Sequence, residues 1–351
     1  MLNWLLVFAP VAIVLHYAAP GQPVLIFASS ALAIVPLAGW LGKATEHLAA
    51  RTSEGIGGLL NATFGNAAEL IISLAALKDG LLPIVKASLT GSIIGNLLLV
   101  TGAAVLGGGL RYKTQQFNAQ GARVQTTMLT LSAIAFVAPA AYHHLSRAID
   151  PGREHTLSVE IASIMLLTYA LSLLFSLHTH KQFFAAPAPH CEGSTPAWSV
   201  ARSLAVLGGS TAMVGWISEI LVGSVGAAAS ALGMSDLFVG VVVVAIIGNA
   251  AEHSTAVAAA MANRMDLALG IAVGASIQVA LFVAPVLVLA SYWIAPRPMD
   301  LAFTLLEVFA IVVAVTITNQ IASDGESNWL EGVQLLAVYL ILGVVFFFMP
   351  V

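Results

Sequence analysis

Two glutamates in matching frames are the residues of this chain best suited to do chemistry. Gly65-Asn66-Ala67-Ala68-Glu69 recurs as Gly248-Asn249-Ala250-Ala251-Glu252, an offset of 183 residues. Both glutamates lie well inside long apolar runs, where a charged group near a bilayer centre costs roughly 2.5–3.5 kcal/mol. The repeated runs supply only Lys78 and Lys86 as counter-charges, both near a run's edge. Two carboxylates brought together could instead share a divalent cation. Calcium takes about six to eight hard oxygen ligands from carboxylates, amide and backbone carbonyls and water. Asn66 and Asn249 precede the glutamates by three residues, so each shares a helix face with its carboxylate.

A second group of polar residues follows about twenty residues downstream. Ser88, Ser92 and Asn96 stand at i, i+4 and i+8 and form one stripe, and Ser276 and Gln278 occupy the corresponding region of the later repeat. The candidate ion-binding set is therefore Glu69, Glu252, Asn66, Asn249, Asn96, Gln278, Ser92 and Ser276. For the serines the competing reading is interhelical hydrogen bonding, worth about 0.6–2 kcal/mol per contact. Gly65 and Gly248 allow local unwinding that frees backbone carbonyls, while Gly91/Gly95 and Gly270/Gly274 have the spacing of close helix packing. His253 is rotated about 100° from Glu252 on a helix and is expected to pack rather than coordinate. Glu46, Glu219 and Glu307 are further carboxylates at or within spans, suited either to an ion route or to anchoring helix ends.

The elements that hold these residues must be membrane spans. The chain is 59% hydrophobic and only 9% charged, against roughly 25% charged in soluble domains. Apolar runs long enough to cross about 30 Å of hydrocarbon fall near 2–19, 22–42, 56–77, 81–107, 126–143, 157–177, 198–222, 236–260, 267–291, 301–321 and 329–349, eleven in all. The first lacks a positive leader and a cleavage site, so a retained helix is expected. The fold class is thus an all-α polytopic membrane protein. The 183-residue offset also pairs Gly91 with Gly274 and Ile94 with Ile277, which argues for a duplication. Runs three and eight are an odd number of crossings apart, so the repeats are inverted, as in secondary transporters whose sites lie where the halves meet. The expected organisation is an extra helix at 1–20, a five-helix repeat at 21–178, a linker at 179–197 and a second five-helix repeat at 198–351.

Orientation follows from basic residues. With the N-terminus in the cytoplasm, Lys43, Arg51, Arg111, Lys113, Arg123, Lys181, Arg202 and Arg264 lie inside, and Lys78, Lys86, Arg147, Arg153 and Arg297 outside. The polar connector from His178 to Trp198 contains His178, His180, His190 and the single cysteine, Cys191, at spacings that match no zinc pattern. No basic cluster suggests nucleic acid. HExxH, GxSxG and paired-aspartate signatures are missing, so an enzyme is not expected.

Several segments resemble the calcium/proton exchanger family of the cation/calcium antiporter superfamily: GGLLNATFGNAAELI (57–71), ASLTGSIIGNLLLV (87–100), FVGVVVVAIIGNAAEH (238–253), LALGIAVGASIQVALFV (267–283) and DGESNWLEG (324–332). The resemblance implies one extra helix and two inverted five-helix repeats in a bacterial inner membrane, with Glu69 and Glu252 as a shared calcium and proton site. It also assigns Asn96 and Gln278 to the family's asparagine and glutamine. No cofactor is implied beyond transported calcium and protons, and the partners are those ions and the lipid bilayer, with a homo-oligomer compatible. Calcium and protons would compete for the two carboxylates under alternating access. The alternatives are a sodium- or potassium-coupled calcium exchanger of the same fold, or a passive cation channel.

Overall fold

The computed structural model describes residues 3–52, 54–145, 151–180 and 198–349. Among them the principal helices are α1 (Asn3–Ala18), α2 (Pro23–Ala49), α3 (Glu54–Phe64), α4 (Ala67–Lys78), α5 (Leu82–Gly109), α6 (Ala119–Leu145), α7 (Gly152–Thr179) and α8 (Val200–Leu232). They continue with α9 (Val239–Ala250), α10 (Glu252–Met261), α11 (Met265–Ile294), α12 (Leu305–Ile321) and α13 (Trp329–Phe347). By length and composition, seven helices can cross a membrane, or eight if α9 and α10 form one bent span. The remaining elements, α1, α12 and the α3–α4 pair, fall on the other expected runs, so the architecture is compatible with eleven crossings. The expected linker at 179–197 lies almost wholly outside the described residues, including His190 and Cys191.

Several helices outrun their expected bounds. α2 continues through Lys43 to Ala49, α6 begins at Ala119, and α8 extends ten residues past Val222. Polar residues at an interface do not end a helix whose backbone bonds remain internally satisfied, so hydropathy marks the hydrocarbon slab rather than the helix. α8 stops where Gly233 takes φ +65°, a left-handed cap.

The connecting loops segregate into two sets. On one side, the segment after α5 pairs β1 (Gln115–Gln116) with β2 (Glu326–Ser327) before α13. There the buried Gln115 amide donates to Ala260 O at 2.8 Å and Asn263 Oδ1 at 3.0 Å, and Asn118 N donates to Asp266 at 2.6 Å. On the other side, Lys78 meets Glu219, Lys86 meets Asp300, and His143 meets Glu154. The loops and helix ends joined by these contacts are ones that the span count puts on the same face, Glu219 alone lying well inside its helix.

The DGESNWLEG segment proves to be architecture. Gly325 takes φ +79°, Asn328 and Glu331 form a capping box on α13, and Gly332 approaches α5 so closely that a Cβ would lie 2.4 Å from Leu106 N. The GxxxG expectation holds for Gly91 only. A Cβ there would lie 2.0 Å from Val241 O, so α5 and α9 cross almost backbone to backbone, while Gly95, Gly270 and Gly274 have nothing within 4 Å of that position. Replacing Gly91 by Ala therefore forces backbone apart and should lower stability by at least about 1–3 kcal/mol. Gly274→Ala should be tolerated. Thermal unfolding of the two variants in detergent measures the contrast.

Candidate functional site

The repeated helix is broken in one half and bent in the other. Between α3 and α4 the helix is interrupted at Gly65–Asn66, and Asn66 leaves helical geometry with φ −98° and ψ 24°. In the second half, helical hydrogen bonding runs on through Gly248, but the axis turns by 66° between Ala250 and Glu252. The unwinding expected at Gly248 is therefore replaced by a bend. Both devices place a glutamate in the first turn of the following helix, α4 for Glu69 and α10 for Glu252.

Around Glu69 the expected residues converge. Its Oε1 accepts from the hydroxyl of Ser92 on α5 and from the side-chain amide of Asn249 on α9. The same Asn249 amide reaches Ser92 Oγ at 3.1 Å and Ala245 O at 3.0 Å. Gly248 makes room for this group, because a Cβ would stand 3.1 Å from Glu69 Cγ. Glu69 is 6% exposed, and Glu252 lies near enough for the two charges to interact. Across the site, Asn66 Nδ2 donates to Gln278 Oε1 at 2.7 Å, and Gly65 leaves the gap into which that oxygen fits.

Three side-chain oxygens here are buried and accept no hydrogen bond: Asn66 Oδ1, Glu69 Oε2 and Glu252 Oε2. Leaving such a group unsatisfied costs about 1–3 kcal/mol, more when it is charged. Each is a hard oxygen of the kind that calcium takes as a ligand. Among the described residues no three His, Cys, Asp or Glu side chains gather as a metal cluster. The set thus draws on two carboxylates supplemented by amides.

The other candidates lie differently. Asn96 is 1% exposed and its Nδ2 has no partner. Ser276 Oγ bonds to Ala272 O at 3.1 Å and Ile93 O at 3.4 Å, so its hydroxyl is held by helix backbone. Glu307 accepts from Thr304 N and Oγ1 in a capping box at the start of α12, and Glu219 is an exposed partner of Lys78. Glu307 thus caps its own helix, and Glu219, within α8, holds Lys78 at the C-terminal end of α4.

Sequence reading missed the π-helical turns beside the site. They span Gly95–Val100, Val239–Val244 and Val279–Val283. The first contains Asn96, the third begins immediately after Gln278, and the two recur at nearly the repeat offset. Such turns collect at functional sites because they shift the register of the helix that follows. Apolar runs such as LLLV and VALFV carry no local mark of them.

Approach to the site differs at its two ends. Gly270, Gly274 and Gln278 form a half-exposed stripe on α11 and Glu252 is half-exposed, whereas Ile84, Ala87, Ser88 and Gly91 on α5 are buried beneath α9. The α11 side of the site is thus the more exposed one, and the side where α5 and α9 cross is closed by backbone contact.

A family model described as sodium/calcium exchanger protein matches residues 22–178 and again 202–348. A Ca(2+)/H(+) antiporter of Aphanothece halophytica is 47% identical over 99% of this chain and 96% of its own length. The Ca(2+)/H(+) antiporter ChaA of Bacillus subtilis is 47% identical over 92% of each chain. The solved structure of native YfkE superposes with a TM-score of 0.85 at 41% identity, covering 99% of this chain and all of that one.

Because both lysines are engaged elsewhere, neither neutralises the glutamates. The Lys86–Asp300 pair is largely buried, with 15% and 24% of the side chains exposed, whereas Lys78–Glu219 stands in solvent. Lys86→Ala should lower stability by about 2 kcal/mol or more by stranding Asp300. Lys78→Ala should leave the unfolding midpoint unchanged, which thermal melts of the two variants will test.

Proposed function

This chain belongs to the sodium/calcium exchanger protein family, and on that premise we propose that it exchanges calcium for protons as a secondary active antiporter of the bacterial inner membrane. The observation that carries the reading is the set of three buried, unpartnered oxygens from Asn66, Glu69 and Glu252. The near-half identity to Ca(2+)/H(+) antiporters over almost the whole chain favours protons over sodium as the coupling ion.

In this mechanism Glu69 and Glu252 hold either one calcium ion or protons. Asn66 Oδ1 joins the two carboxylates as a ligand, while Ser92 and Asn249 fix Glu69 Oε1 so that Oε2 faces the cargo. Gln278 orients Asn66 through its amide. The loaded states are compensated in charge, and the empty, doubly charged site is costly to carry across the membrane, so movement is tied to exchange. Each proton moving down one pH unit supplies about 1.4 kcal/mol.

The two matches of one family model support a division into inverted five-helix halves, 21–178 and 198–351, with an extra helix at 1–20 and a cytoplasmic linker at 179–197. The charge bias supports a cytoplasmic N-terminus and an outside C-terminus. The more exposed part of the site, toward Arg264 and Asp266, then faces the cytoplasm, the side from which calcium is loaded.

Reconstituted protein should take up calcium-45 when a pH gradient is imposed and not when a sodium or potassium gradient is. Glu69→Gln and Glu252→Gln should each abolish this exchange while membrane insertion persists. Exchange by either variant at the native rate defeats the shared-site mechanism. Ser92→Ala should weaken calcium binding by about tenfold, the loss of one hydrogen bond to a charged group, whereas Ser276→Ala should alter it little.

Protons and calcium compete for the same oxygens, so calcium binding must release protons. The sign follows directly: at lower pH more protons must be displaced, and apparent calcium affinity falls, by up to about tenfold per pH unit for each proton released. Isothermal titration in buffers of different ionisation enthalpy reads the released protons. Binding without proton release overturns the competition. Orientation is tested with native Cys191, which an impermeant maleimide should fail to label from the periplasmic side of intact cells.

A further inference from the structure

A groove of about 680 Å³ lies between α6 and α12, remote from the glutamates. Its polar part contains Arg123, Thr126, Thr130 and Asn319, and its apolar part contains Leu131 and Ile134, which are 37% and 58% exposed. We infer that this groove binds an anionic phospholipid whose headgroup bears hydroxyls, such as phosphatidylglycerol.

Position is the first argument. α6 has 27 residues, so at 1.5 Å per residue it is about 40 Å long, beyond the roughly 30 Å of hydrocarbon. Arg123, one turn into α6, therefore stands at headgroup level, and Leu131 and Ile134, two to three turns deeper, stand at acyl level. The groove runs along the axis a lipid would take. It is on the same face as Arg111, Lys113 and Arg264, which the charge bias assigns to the cytoplasm. Basic pockets between spans on that side are the usual form of sites for anionic headgroups.

The second argument is the match of donors and acceptors. Arg123 is exposed, makes no ion pair among the described residues, and can fork onto a phosphodiester. No carboxylate lines the groove. Thr126 and Thr130 donate their hydroxyl protons to Arg123 O at 3.2 Å and Thr126 O at 3.0 Å, which leaves lone pairs as acceptors. Asn319 donates to Thr130 Oγ1 at 2.9 Å, and its Oδ1 is buried and without a partner. One cation beside several acceptors suits a phosphate followed by hydroxyl donors. A choline headgroup offers no donor, and an ethanolamine headgroup would set an ammonium beside the arginine.

The test is native mass spectrometry of the delipidated full chain in detergent with phosphatidylglycerol, phosphatidylethanolamine or phosphatidylcholine. Wild type should hold phosphatidylglycerol about tenfold more tightly than phosphatidylcholine, which offers Arg123 the same phosphate but sets a quaternary ammonium beside the guanidinium and supplies no hydroxyl donor. Arg123→Ala should erase that preference and Arg123→Lys should retain most of it, with both variants melting as wild type does without lipid. Asn319→Leu should reduce the preference while leaving calcium binding unaltered. Equal binding of the three lipids, or an unchanged preference in Arg123→Ala, overturns the inference. Displacement of phosphatidylglycerol by millimolar inorganic phosphate would identify a soluble-anion site and also overturn it. So would efficient cross-linking between copies of the Thr126→Cys, Cys191→Ser variant, since a second protein would then fill the groove.

Discussion

The carboxylate of Glu69 is buried with no basic side chain paired to it among the described residues, and much of the structure can be understood as the arrangement that makes this tolerable. Moving an ion from water into a low-dielectric interior costs several kcal/mol even after relaxation. One oxygen is answered by protein donors, Ser92 from α5 and Asn249 from α9. The other is left without a partner, and a second carboxylate is set beside it. Two adjacent carboxylates repel unless a proton or a cation lies between them. The hydrogen bonds to Oε1 fix the orientation of the Glu69 carboxylate.

Bringing donors from two helices to a carboxylate on a third demands that the three backbones approach closely, and this is where glycine enters. Gly248 lies against the Glu69 side chain, Gly65 against Gln278, and Gly91 against the carbonyl of Val241. The first two create space for side chains within the site. The third lets α5 and α9 cross with almost no gap, which seals one end. At the repeat-related position, Gly274 faces open space. The same residue in the two repeats thus serves opposite purposes, closed in one half and open in the other. A pair of inverted halves caught in one conformation must show this asymmetry, since exchanging the two arrangements would open the other end.

How much of this could be read from sequence depended on whether the signal was local. A glutamate inside an apolar run is conspicuous because the energetic cost is intrinsic to the residue, and Glu69 and Glu252 were legible on that ground together with Asn66, Asn249 and Ser92. The interruption at Gly65–Asn66 was legible because glycine permits it. The bend replacing an unwound Gly248 was not, since helical bonding there depends on neighbours in space. Nor were the π-helical turns, the engagement of Asn66 with Gln278, or the attachment of Ser276 to the Ile93 carbonyl. Each is decided by which helix lies opposite. Glu307 illustrates the same limit: from sequence it could serve an ion route or a helix end, and the Thr304 capping box shows it bonded to the helix end.

The departure from two-fold symmetry has a chemical consequence. If the halves were strictly equivalent, Asn66 would serve Glu252 as Asn249 serves Glu69. Instead Asn66 spends its amide protons on Gln278 and keeps its carbonyl oxygen free, while Asn249 spends its own on Glu69. One asparagine is thereby an orienting donor and the other a ligand candidate, although both arose from the same repeated segment. The duplication supplied two identical motifs. The residue that faces each motif, Gln278 on one side and Ser92 on the other, then determined what each amide could do. A single cation site made from two copies of one motif cannot use both copies in the same way, because the cation needs acceptors while the carboxylate that holds it needs donors.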